Sequence, residues 1–96
     1  MSIKDPARRY EVNRKVKAVL SRHAVDMTEL QYSTTVETVY LFGKLSKDPK
    51  GDFSQPQIET LIKDLVAIPD VRDIQFDLSN WSVLYEPGFV NIRQKR

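Results

Sequence analysis

The chain contains no cysteine. Disulfide frameworks, thiol nucleophiles and cysteine-ligated zinc are thereby excluded, and the composition is compatible with a reducing compartment. It has a single histidine, His23, so no pair of histidines at helical spacing exists to hold a metal. Only three glycines are present, and none belongs to a phosphate-cradling loop or a Gly-x-Ser-x-Gly elbow. No apolar run approaches the ~18–20 residues needed to span a bilayer. The N-terminus, charged from Lys4 onward, lacks the roughly 7–15-residue apolar core of a signal peptide. As written, the chain is expected to be soluble and cytoplasmic, or periplasmic if trimmed from a longer precursor. These gaps leave little for catalysis to work with. No enzyme activity, cofactor or metal is expected.

What remains describes a globular domain. The 96 residues, 41% hydrophobic and 29% charged, fit one domain with one modest core. Net charge is only +2, but its distribution is uneven. Arg8, Arg9, Arg14, Lys15, Lys17 and Arg22 crowd the first quarter, and Arg93, Lys95 and Arg96 close the chain. This reads as a solvated helix face with a basic tail. An anionic-lipid or nucleic-acid patch is the sharper alternative.

Periodicity predicts the elements. Asp5-Pro6 reads as an N-cap followed by proline at the first helical position. Val12, Val16, Val19 and Leu20 then form one apolar stripe, which Tyr10 would extend, and the helix is expected to end near Arg22-His23. His23 at that end reads as a solvated residue. Residues 27–36 read as a strand with Leu30 and Tyr32 on one face, and residues 38–45 as a second. Gly43 inside the second suggests a bulge or the close approach of a helix. After a polar loop, Ser54 caps a second helix whose stripe is Ile58, Leu61, Ile62, Leu65 and Val66, ending before Ile68-Pro69. Residues 71–78 alternate as a third strand, with Ile74, Phe76 and Leu78 on one side and Asp73, Gln75 and Asp77 on the other.

The order helix-strand-strand-helix-strand predicts an α+β, two-layer sandwich over residues 5–78. Two helices cover one face of a three-stranded mixed sheet, with the third strand parallel to the second. Residues 79–96 are expected to be a C-terminal extension. Trp81, Val83 and Tyr85 alternate before Glu86-Pro87-Gly88 turns the chain, so the extension is either a fourth strand or a tail lying across the domain.

In the second strand, Val39, Leu41 and Leu45 point to the core, so Tyr40 and Phe42, with Lys44 beside them, point away from it. Exposed aromatics of this kind mark something that covers them. One cover is the tail, through Trp81, Tyr85 and Phe89, and the strand-like alternation favours it. The other is external: a second subunit, a partner protein or a membrane. Stacked single-stranded nucleic acid is disfavoured by Asp73 and Asp77 on the same face.

The segment Val39-Tyr40-Leu41-Phe42-Gly43, the helix closing on Val19-Leu20, and the passage from Ile58–Val66 into Ile68-Pro69-Asp70-Val71-Arg72-Asp73-Ile74 resemble the BON family, small domains of bacterial envelope and stress proteins. The resemblance covers residues 10–78. Asp70 stands where the family has glycine, and aspartate tolerates the left-handed conformation better than most residues. The resemblance implies non-enzymatic attachment to phospholipid membranes or partner proteins, and no catalytic residues. Two functions are therefore expected. The first is an adaptor acting through Tyr40, Phe42, Lys44, Trp81 and Tyr85, by protein partnership or self-association. The alternative is a peripheral anionic-phospholipid module using Arg8, Arg9, Arg14, Lys15, Arg93, Lys95 and Arg96.

Overall fold

The computed structural model describes residues 6–35, 37–49 and 51–95. Asp5, the expected first cap, and Arg96 of the basic tail lie outside the described residues, as do Val36 and Lys50. Helix α1 (Pro6–Arg22) buries Val12, Val16, Val19 and Leu20 and leaves Tyr10 exposed. Tyr10 sits too far round the helix to join a stripe repeating every three or four residues.

The end of α1 is a Schellman turn. Ala24 N–H donates to the Ser21 carbonyl and Val25 N–H to the Leu20 carbonyl, both at 3.0 Å. Ala24 occupies the left-handed position with φ of 59°. The buried side chains of Leu20 and Val25 belong to the core beneath it.

Strand β1 (Leu30–Thr34) begins later than the sequence predicts, because Met27, Thr28 and Glu29 wrap around Asp26. The Thr28 amide and hydroxyl both donate to Asp26 Oδ1, at 2.9 and 2.6 Å. These bonds hold the Asp26 carboxyl below the usual carboxylate range, and the Lys44 charge acts in the same direction. Strand β2 (Thr38–Gly43) is central, antiparallel to β1 and parallel to β3 (Asp73–Leu78). Helix α2 (Gln55–Val66) makes the crossover. A reciprocal capping box opens it: the Gln57 amide donates to Ser54 Oγ, and the Ser54 amide donates to Gln57 Oε1.

Gly43 is not approached by a helix. It has φ of 114°, and a Cβ there would overlap the Glu29 carbonyl oxygen, so the close neighbour is backbone at the start of β1. Asp70 adopts φ of 78° at the turn between α2 and β3, the left-handed geometry that a glycine would otherwise take.

The C-terminal extension is a hairpin of β4 (Trp81–Glu86) and β5 (Phe89–Gln94), turning at Pro87-Gly88. Its Trp81 and Ile92 join the same buried cluster as both helices and the three-stranded sheet, and Val83 and Tyr85 pack against that cluster. The apolar positions expected to face the core are buried, except that Tyr32, Val66 and Phe76 are half-buried against the cluster and Tyr10 is exposed. The observed architecture is α+β in the order α-β-β-α-β-β-β. Among the described residues, no helix is long and apolar enough to cross a membrane.

Candidate functional site

Alternation along β2 sends Val39 and Leu41 into the core and leaves Tyr40 and Phe42 on the opposite side, 40% and 38% exposed. The register sets their neighbours. Tyr40 lies between Ser33 of β1 and Gln75 of β3, and Phe42 between Gln31 and Asp77. Lys44 continues this side of β2 and is exposed, close enough to act on Asp26.

The tail does not cover these rings. Trp81 is only 6% exposed and lies in the core, so it is unavailable to a partner, and Tyr85 is half-buried against that core. The alternation of Trp81, Val83 and Tyr85 is real, but it turns this set toward the core cluster rather than onto the aromatic face. A single side-chain amide ties the start of the hairpin in place. Asn80 Oδ1 accepts from the Leu45 amide at 3.1 Å, and Asn80 Nδ2 donates to the Leu45 carbonyl at 2.8 Å. The opposite face of the hairpin therefore points away from the core. It carries Leu84 and Phe89, 51% and 50% exposed, with Arg93 paired across from Ser82. Sequence reading missed Leu84 as a surface residue; its parity, opposite to that of Trp81 and Tyr85, is the signal that identifies it.

The basic residues are not a free patch. Arg8 pairs with Asp70 at 2.7 Å, Arg14 with Glu11 at 2.7 Å, and Arg22 approaches Asp64 at 3.6 Å. Arg9 Nε donates to the Thr34 carbonyl at 3.0 Å, and Lys95 Nζ donates to the Leu78 carbonyl at 2.8 Å. Lys15 and Arg93 make no ion pair or side-chain hydrogen bond among the described residues.

His23 is not a solvated terminal residue. The Schellman turn brings its ring against α2, where it is 16% exposed and Nε2 donates to Asp64 Oδ2 at 2.6 Å. That bond, reinforced by Arg22, holds the Asp64 carboxyl below the usual range. A shallow depression of about 300 Å³ includes Asp64 in its lining, together with Lys15, Val19, Arg22, Ala67 and Ile68. Among the described residues, no group of three or more His, Asp or Glu side chains is placed to hold a metal.

No protein-family model, curated protein or solved structure matches the chain. The BON resemblance therefore rests on the residues that carry it.

Proposed function

We propose that this chain is a non-enzymatic binding module that engages a protein partner through the uncovered side of its sheet and C-terminal hairpin. The observation that carries this reading is the pair Tyr40 and Phe42, each more than a third exposed on a sheet face that no described element covers. Leu84 and Phe89 add further exposed apolar surface on the side of the hairpin turned from the core. Aromatic side chains bring roughly 150–250 Å² each to an interface and little conformational entropy to lose.

The test is a Tyr40→Ser/Phe42→Ser variant whose circular dichroism and unfolding midpoint match the parent. Affinity capture from native lysate, combined with sedimentation of the pure chain, should recover an association that the variant loses. A strict monomer that captures nothing overturns the reading. The BON resemblance supports a second reading, peripheral contact with anionic phospholipid, for which Lys15 and Arg93 offer uncommitted charge. Flotation with anionic against neutral vesicles separates the two. The internal engagement of Arg8, Arg9, Arg14 and Lys95 puts the lipid reading second.

A further inference from the structure

The uncovered sheet face is not uniformly apolar. Asp77 is exposed and lies directly beside Phe42 across the β2–β3 ladder, while Asp73 lies beside Thr38 on the same side. Gln75 Nε2 donates to Asp73 Oδ2 at 2.7 Å, holding that carboxylate in place next to Tyr40's cross-strand neighbour. Neither Asp73 nor Asp77 forms an ion pair among the described residues. Lys44, the nearest lysine along β2, forms no ion pair with either carboxylate among the described residues. The face thus sets Asp77 directly beside Phe42 and Asp73 diagonally across from Tyr40, with no cation of the described residues paired to either carboxylate.

That combination selects a partner by charge. The π-face of an aromatic ring attracts a guanidinium or ammonium, more strongly once water is excluded. A carboxylate beside it pairs with the same guanidinium through charge-assisted, bidentate hydrogen bonds. A phosphate would meet repulsion from both carboxylates. The spacing also matters: Tyr40 and Phe42 are two residues apart on one strand face, about 7 Å, which is the separation of alternate side chains in an extended peptide.

We propose that this face docks an extended, arginine-bearing segment of a partner protein, with arginines at alternate positions stacked on Tyr40 and Phe42 and paired with Asp73 and Asp77. The proposal rests on the reading of this face as the binding surface and names the chemistry of its occupant. The probe is a synthetic Gly-Arg-Ser-Arg-Gly peptide, titrated into the full chain and followed by amide ¹H–¹⁵N spectra, with Gly-Glu-Ser-Glu-Gly as the control. The arginine peptide should shift the amides of Tyr40, Phe42 and Asp77, and the glutamate peptide should not. Asp73→Asn/Asp77→Asn and Tyr40→Ser/Phe42→Ser should each weaken binding about tenfold, as loss of the charge-assisted or cation–π contacts implies. No shift with the arginine peptide, or shifts unchanged in Asp73→Asn/Asp77→Asn, overturns the proposal. A captured partner lost in Tyr40→Ser/Phe42→Ser but retained in Asp73→Asn/Asp77→Asn also refutes the cationic occupant, while keeping the face as a binding surface.

Discussion

Replacing Ala24 by glycine should stabilise the protein. Ala24 is held at φ of 59° because the turn after α1 needs a left-handed residue for the Val25 and Ala24 amides to reach the Leu20 and Ser21 carbonyls. An L-residue in that conformation costs roughly 1–2 kcal/mol. Glycine removes the cost but gives the unfolded chain more freedom, returning about 0.5–1 kcal/mol. The net gain is about 0.5–1 kcal/mol, against a total stability on the order of 5–14 kcal/mol for a chain of this length. With a urea slope near ~1–1.5 kcal/mol/M, the midpoint should rise by roughly 0.3–1 M. The assay is urea unfolding followed by far-ultraviolet circular dichroism on the parent, Ala24→Gly and Ala24→Val. Valine, β-branched and worse at positive φ, should lower the midpoint. A glycine variant with an unchanged or lower midpoint refutes the assignment of strain to this position.

Three further outcomes follow from the packing. Trp81→Ala should cost about 3–5 kcal/mol because it opens the core beneath the hairpin; a loss below ~1 kcal/mol in the same urea assay would show that Trp81 is a surface residue after all. Gly43→Ala should cost at least about 1–3 kcal/mol, since the added Cβ meets the Glu29 carbonyl at a positive φ, and an unchanged midpoint would contradict that contact. The lowered Asp64 pKa makes its bonds with His23 and Arg22 a source of stability that is full above the ordinary aspartate range and is lost as pH falls through the lowered value. Asp64→Asn should therefore remove part of the acid-side slope of stability below about pH 4, while parallel slopes in the two proteins would rule out that linkage.

Both helices, the three sheet strands and the parallel pairing of β2 with β3 were legible in the sequence, because apolar spacing is a local signal. Val12 to Leu20 repeat at helical intervals, and Val39 and Leu41 alternate against Tyr40 and Phe42. The aromatic face was legible for the same reason. The packing of the hairpin was not. Alternation of Trp81, Val83 and Tyr85 shows which side chains share a face but not what that face meets, so a core tryptophan resembled a covering one. The pairing of His23 with Asp64 joins residues 41 positions apart, and the Asn80 clamp on Leu45 joins residues 35 apart. Neither has a sequence period that could announce it. Arg8 and Arg9 read as free charge because their partners, Asp70 and the Thr34 carbonyl, are distant in sequence, whereas the partner of Arg14, Glu11, is only three residues away.

The Arg9 bond to Thr34 bears on how the protein behaves in a crowded solution. Lys44 N–H donates to the Glu29 carbonyl and Thr35 N–H to the Thr38 carbonyl, which fixes the odd-numbered residues of β1 as those bonded to β2. The backbone groups of Leu30, Tyr32 and Thr34 therefore turn outward along the free edge of the sheet. The Leu30 amide is already given to the Asp26 carbonyl, and the Thr34 carbonyl is taken by Arg9. Among the described residues, a stray strand arriving along β1 would find Tyr32 as the one residue with both groups free, and would have to displace a guanidinium to gain more. The protein thus separates two kinds of stickiness, keeping rings available on a face while blunting the edge beside it. Association through the proposed face would end with a filled surface and a fixed stoichiometry, where pairing along an open edge would expose a fresh edge with every addition and lead toward fibres.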